Sequence, residues 1–187
     1  MTDLQISGLT DAELIDSLLR NAQLHLFGAH PKHGTSAQLG LCRLGLKNIT
    51  IKHLDLNNMG SKNRGCVTVA RALNKNKSVT HLGLSGSSMN DEGAQEVANL
   101  LKTNNTLVAL TLFKNKIGND GCIAIAIALE VNTLLLILKL GGNEIVNKGA
   151  MKLAETSTSN EMLTTLHLTC NREIGEEGKS AFVVLLQ

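Results

Sequence analysis

The sequence predicts an α/β repeat array in which a short strand and a helix alternate. Three observations carry this. Leucines recur in fixed columns 28 residues apart, small residues recur between them in the same phase, and each period holds first an alternating pattern and then a helical one. The first column is Leu54, Leu82, Leu110, Leu138 and Leu166, and the second, two residues on, is Leu56, Leu84, Leu112, Leu140 and Leu168. Ile51, Val79, Leu107, Leu135 and Leu163 stand three residues before the first. Gly65, Gly93, Gly121 and Gly149 form a glycine column; Ala70, Ala98, Ala126 and Ala154 follow it, and Asn76, Asn104, Asn132 and Asn160 close the period. Chance does not hold so many columns in step.

The strand of each period is the LxxLxL segment, whose alternation buries one face. The helix runs from the glycine to the asparagine; in GAQEVANLLKTN, Ala94, Val97, Ala98 and Leu101 share a face. The glycine and alanine columns are expected to be small so that the helix can lie close to the strand layer. Asparagine at the helix end is expected to tolerate the left-handed conformation that terminates helices. Asn115, Asn143 and Asn171, three residues after the second leucine, carry amides able to satisfy a bent backbone. Met59 and Ser87 replace that asparagine in the first two turns, so those bends are expected to be remodelled, with Asn58 serving the first locally. Ile145 to Ile174 is one residue longer than the period, which puts an insertion in the turn around Arg172 and Glu173.

The pattern LxxLxLxxNxIxxxG, as in Leu107 to Gly121, resembles the leucine-rich repeat family, and the 28-residue period with a full helix is similar to its ribonuclease-inhibitor-like subtype. The resemblance covers about residue 51 onward. It implies a curved solenoid with a parallel sheet lining the concave side and helices on the convex side. It also implies protein binding, with occlusion of another enzyme's active site as one form of it. Sensor portions of immune receptors, actin-capping components and intracellular pathogen effectors share the pattern.

Upstream of Ile51 the phase is lost. Thr10 and Glu13 form a capping box, Leu9 and Leu14 a hydrophobic staple, and Leu14, Ile15, Leu18 and Leu19 share a helix face. Residues 1–38 therefore read as an N-terminal helical cap and residues 39–187 as the solenoid, one continuous domain. Leu41, Leu44 and Leu46 repeat the strand pattern too close to Leu54 to leave room for a helix, which suggests a strand-only unit. The final FVVLLQ continues a helix pattern without a polar outer face, as expected of a truncated array or a covered end.

Composition narrows the function. The chain has 187 residues, 43% hydrophobic and 18% charged, with a net charge of +2, which is too small for a nucleic-acid footprint. Aromatic residues make up 2%, which removes the stacking platforms of single-strand binders. The apolar run from Cys122 to Leu140 is interrupted well short of the roughly 20 residues a membrane span needs, so no membrane partner is expected. Cys42, Cys66, Cys122 and Cys170 show no close pairing and read as reduced thiols in a cytoplasmic protein, or in the host cytosol for a secreted effector.

No nucleophile–base pair or paired carboxylates are brought together by the period, so no catalytic residue is assigned and no enzyme is expected. Gly178-Lys179-Ser180 lacks the upstream glycine of a phosphate loop, because position 173 is Glu. His30 and His33 lack a second ligand pair, and no metal or cofactor is expected. Cys66 and Cys122 read as small core residues.

With the leucines inward, alternation turns the other strand residues outward. The candidate partner-binding residues on that face are His53, Asp55, His81, Thr111, Phe113, Lys114, Ile137, Lys139 and His167. Phe113 and Ile137 are expected to supply an apolar centre, and the histidines and lysines a partly basic rim suited to an acidic protein partner such as an enzyme. The alternative reading of Phe113 is a ring laid over Gly141. The expected function is a non-catalytic protein-interaction module that binds through the concave face, as an inhibitor or effector does. The alternatives are a sensor or structural segment of a larger assembly, and, least favoured, an enzyme with an unrecognised site.

Overall fold

A computed structural model of the protein describes residues 2–5, 24–27, 52–58 and 62–183. Seven parallel strands form one sheet in chain order: β1 Thr2–Gln5, β2 Leu24–Phe27, β3 His53–Asp55, β4 His81–Gly83, β5 Ala109–Thr111, β6 Ile137–Lys139 and β7 Thr165–His167. Five described helices alternate with the later strands: α1 Lys62–Leu73, α2 Asp91–Thr103, α3 Asn119–Leu129, α4 Asn147–Ser159 and α5 Glu176–Val183. From β3 onward the register advances by one period per strand, so His53, His81, Ala109, Ile137 and Thr165 are direct neighbours. This is the α/β solenoid that the columns predict.

The leucine columns fill the space between sheet and helices. Leu82, Leu84, Leu110, Leu112, Leu138 and Leu140 are essentially inaccessible, and Val97, Ala98, Ile125, Ala126 and Leu153 meet them from the helices. Strand pairing continues past each short strand. Gly86, Lys114 and Gly142 donate their amides to the Phe113, Gly141 and Thr169 carbonyls, and the chain then turns. The turning residue is left-handed in every period: Asn58, Gly86, Lys114, Gly142 and Cys170 have φ between 54° and 67°. Glycine adopts that conformation without cost, whereas Lys114 and Cys170 hold it with a Cβ.

Each asparagine of the strand-end column serves two turns rather than only its own. Asn143 donates to the Leu140 carbonyl of its own turn and the Leu112 carbonyl of the preceding one, and its Oδ1 accepts from Ile117 N. Asn171 repeats this one turn later. Asn115 reaches back to Leu84 O, Ser87 N and Met89 N, so the bend at Ser87 is satisfied from the next turn. That bend is remodelled as expected, with Ser88 also left-handed at φ 54°. In the first turn Asn57 reaches the next one, accepting from Ser85 N, and the Asn58 side chain lies against Gly86. Met59 lies outside the described residues.

Three expectations are corrected. The helix-end asparagines are not left-handed: Asn104 and Asn160 are extended, with φ −79° and −90°. Their amides instead hold neighbouring turns together, as Asn104 donates to Leu73 O and Asn76 O while accepting from Thr106 N and Leu107 N. The glycine column faces the preceding helix rather than the strand layer. A Cβ at Gly121 would stand 2.7 Å from Ala94 Cβ and from Asp91 Oδ1, and one at Gly149 would stand 2.8 Å from Asn119 Oδ1. Finally, the phase extends one strand upstream of Ile51 and no further, since Leu4 of β1 pairs with Leu26 at a spacing of 22 residues. Leu26 of β2 precedes Leu54 by one period and pairs with it. Strands β1 and β2 fall inside the segment read as a cap, while the helix begun at Thr10, the Leu41–Leu46 unit and the last four residues lie outside the described residues.

Candidate functional site

The expected face exists as one surface. Parallel pairing in constant register sets the outward residues of β3 to β7 side by side, and all nine candidate residues lie on it with part or all of their surface accessible. Of the small residues between them, Ala109 and Gly141 are buried by their neighbours and only separate the larger side chains.

At the centre, Phe113 is half-buried and its ring rests over Gly141. The ammonium of Lys114 stands 5.4 Å from the ring centroid, within cation–π range. Left-handed backbone at Lys114 turns the chain immediately after Phe113, so the aromatic and the cation form one local unit. Ile137 and Lys139 stand on the next strand, where Lys139 pairs in register with Thr111. At the C-terminal edge His167 pairs in register with Lys139 and is exposed.

Toward the N-terminal end the surface is polar. Asp55 Oδ1 accepts from Asn57 N, and Gly83 on the next strand leaves room for both of these side chains. The His53 and His81 rings lie with centroids 4.1 Å apart and planes tilted by 43°. Thr80 Oγ1 is 2.9 Å from His81 Nδ1.

On the helical side another set of residues, not singled out in the sequence, closes the stack. Asp91 Oδ1 accepts from Gly118 N and Gly121 N, Asn119 Oδ1 from Val146 N and Gly149 N, and Asn147 Oδ1 from Gly175 N and Gly178 N. Each thus caps the helix of the following turn, satisfying amides that the α-helix itself leaves open. The 28-residue recurrence of Asn63, Asp91, Asn119 and Asn147 was the available signal. Gly178 takes its glycine-column place here, which accounts for the Gly-Lys-Ser sequence without a phosphate. The partners of Asn147 are one residue further on than those of Asn119, as the insertion near Arg172 requires.

Cys66 and Cys122 are fully buried and Cys170 is exposed; all three are free thiols. Burial, reinforced by the charge of Asp91, pushes the Cys122 thiol up to about 12, so it stays protonated and inert. Among the described residues no three His, Cys, Asp or Glu side chains come together as a metal site, and no helix is long and apolar enough to cross a membrane.

A parallel sheet with one helix per turn, in step from β3 onward, defines a solenoid built from a single repeated unit. The chain belongs to the leucine-rich repeat family, whose model matches residues 75–98, 103–126, 131–154 and 159–183. Two solved structures are similar. The leiomodin-1 actin-binding site 2 structure is 24% identical, with 80% of this chain and 85% of that one covered and a TM-score of 0.65. The tropomodulin C-terminal domain of Caenorhabditis elegans is 15% identical, with 82% and 92% covered and a TM-score of 0.67. At these identities the likeness establishes the fold. No curated protein sequence matches the chain.

Proposed function

We propose that the protein is a non-catalytic binding module that grips an acidic protein partner with its concave face, Phe113 and Lys114 being the anchor. The observation that carries this reading is the position of Lys114. A lysine occupies a left-handed site where the flanking turns have glycine, and its ammonium is directed over an accessible aromatic ring. Strain of this kind persists where the surrounding structure holds it, and it gathers at binding sites. Aromatic residues and pre-positioned cations are what interface centres are enriched in. His53, His81, Lys139 and His167 extend the basic character to either side.

The 28-residue turns, each with a helix of roughly two to four windings, support the ribonuclease-inhibitor-like subtype and with it the occlusion of a partner's working surface as the mode of action. The cytoplasm, or a host cytosol, suits the free cysteines. Actin is the first partner to assay, because one similar fold is the actin-binding site 2 of leiomodin-1.

The test is a pull-down from native extract, then calorimetric titration of the captured protein with wild type and Phe113→Ala. A loss of about 2 kcal/mol in affinity with an unchanged melt supports the anchor. Equal affinities would remove Phe113 from the interface.

A further inference from the structure

From β3 onward the strand ladder follows one hydrogen-bond rule from coil to coil. The Leu56, Leu84, Leu112 and Leu140 amides each donate to a carbonyl of the next strand, at Gly83, Thr111, Lys139 and His167. Two residues on, the Asn58, Gly86, Lys114 and Gly142 amides do the same toward Ser85, Phe113, Gly141 and Thr169. In return, the Lys52, Thr80, Val108 and Leu136 carbonyls each accept from the two amides that lead into the following strand.

At β7 the rule runs out. Leu168, Cys170 and Thr164 stand one period beyond Leu140, Gly142 and Leu136, and no eighth strand follows among the described residues. The Leu168 and Cys170 amides and the Thr164 carbonyl therefore have no ladder partner there. The side chains of this coil are less covered as well. Leu166 and Leu168 are half-buried, whereas Leu138 and Leu140 one coil earlier are inaccessible, and Leu163, Ile174 and Phe182 share the partial cover. Open main-chain donors and an acceptor thus lie beside a strip of apolar side chains. Nothing in residues 164–170 blunts this edge, since the segment holds no lysine, proline or acidic residue.

We propose that the β7 edge binds an extended segment of a partner protein, added in parallel as an eighth strand. The groups on the edge specify this occupant. Two of its carbonyls, two residues apart, accept from Leu168 N and Cys170 N, and an amide near its start donates to Thr164 O, as each strand of the stack already does for the one before it. A helix cannot make these bonds, because its own ladder uses its carbonyls. Alternation then sets two apolar side chains of the segment over Leu166 and Leu168, and turns its polar ones to the concave side. Main-chain bonds give such an addition its affinity and the alternate side chains give it selectivity. The edge lies at the end of the array and stands independently of the anchor at Phe113.

The experiment is amide hydrogen exchange, followed by NMR, on the full chain alone and with a synthetic peptide of residues 79–87, VTHLGLSGS, which carries the alternation of a strand in this stack. In the chain alone the Leu168 and Cys170 amides should exchange rapidly while those of Leu140 and Gly142 are protected. Saturating peptide should slow Leu168 and Cys170 by about tenfold or more, and a peptide with both leucines replaced by Asp should not. Leu168→Lys should weaken peptide binding by about tenfold or more, as a charge on a sheet edge does. Met151→Ser, on the exposed side of α4, should leave it unchanged. Thermal melts confirm that both variants fold. Leu168 and Cys170 amides that are protected already in the dilute chain, or that saturating peptide fails to slow, would overturn the proposal. Protection that rises with protein concentration in the absence of peptide would assign the edge to a second copy of the chain and overturn the partner segment as its occupant.

Discussion

The ring of Phe113 rests against Gly141 so closely that a Cβ at Gly141 would stand 2.9 Å from Phe113 Cδ2. The same Cβ would also stand 2.9 Å from the Thr169 carbonyl oxygen, which is backbone and cannot step aside. Gly141→Ala should therefore lift the ring and strain the sheet, costing about 1–3 kcal/mol. Chemical denaturation measures the cost, and a variant as stable as wild type would mean that the ring does not rest there.

Lys114→Gly should do the opposite to stability. With φ at 54°, the lysine carries a steric penalty that glycine lacks, offset in part by glycine's freedom in the unfolded chain. A gain of about 0.5–1 kcal/mol is expected, seen as a rise in Tm of a few degrees. Partner affinity should fall at the same time, because the cation over Phe113 is lost. Cys170→Gly, at the same turn position with φ 62°, should be stabilising as well.

Asn115→Ala tests the link between turns. It leaves the Ser87 and Met89 amides and the Leu84 carbonyl without their buried partner, while the Leu112 carbonyl keeps its bond from Asn143. Each such orphan costs roughly 1–3 kcal/mol, so a loss of at least about 3 kcal/mol is expected in urea unfolding. A loss below about 1 kcal/mol would mean that water replaces the amide.

Asp91→Ala should cost about 1–2 kcal/mol by uncapping α3, the helix of the next turn. Asp91→Asn should be close to neutral, since Asn119 and Asn147 make the same bonds in their turns. Thermal melts of the two variants distinguish a hydrogen-bond role from a purely electrostatic one.

Native alkylation followed by peptide mapping should label Cys170 while sparing Cys66 and Cys122 until the chain unfolds. Cys122 also sets a pH dependence. Its thiol titrates at about 12 when folded against an ordinary 9.0, so above pH 9 the unfolded chain binds fewer protons and stability falls as pH rises toward 12. Cys122→Ala should flatten that alkaline limb.

The period, the buried leucines and the outward face were legible because each is a property of one residue type at one spacing. Phe113 and Lys139 could be placed from alternation alone. The role of Asn115 was legible only in part, since the side chain can be read as serving a bend but not as serving the previous one. Its partners lie up to 31 residues away in sequence and become neighbours only on stacking. The same holds for Asp91, whose partner Gly121 is 30 residues on. Leu26 was missed because its flanking columns are occupied by Gln23 and Gly28, leaving a leucine without its pattern. The left-handed turn at Lys114 has no signature in lysine itself; only the glycines at positions 86 and 142 hint at it.

The side-chain amides at the strand ends point toward the start of the chain, whereas Asp91, Asn119 and Asn147 point toward its finish. Each of the three boundaries from β4 to β7 is thereby latched from both directions, and none of these coils can peel away without stripping a bond from a neighbour it leaves behind. An architecture of nearest-neighbour contacts is free in principle to fray from its tips. Here the opposed latches should make the coils from β4 to β7 melt in concert.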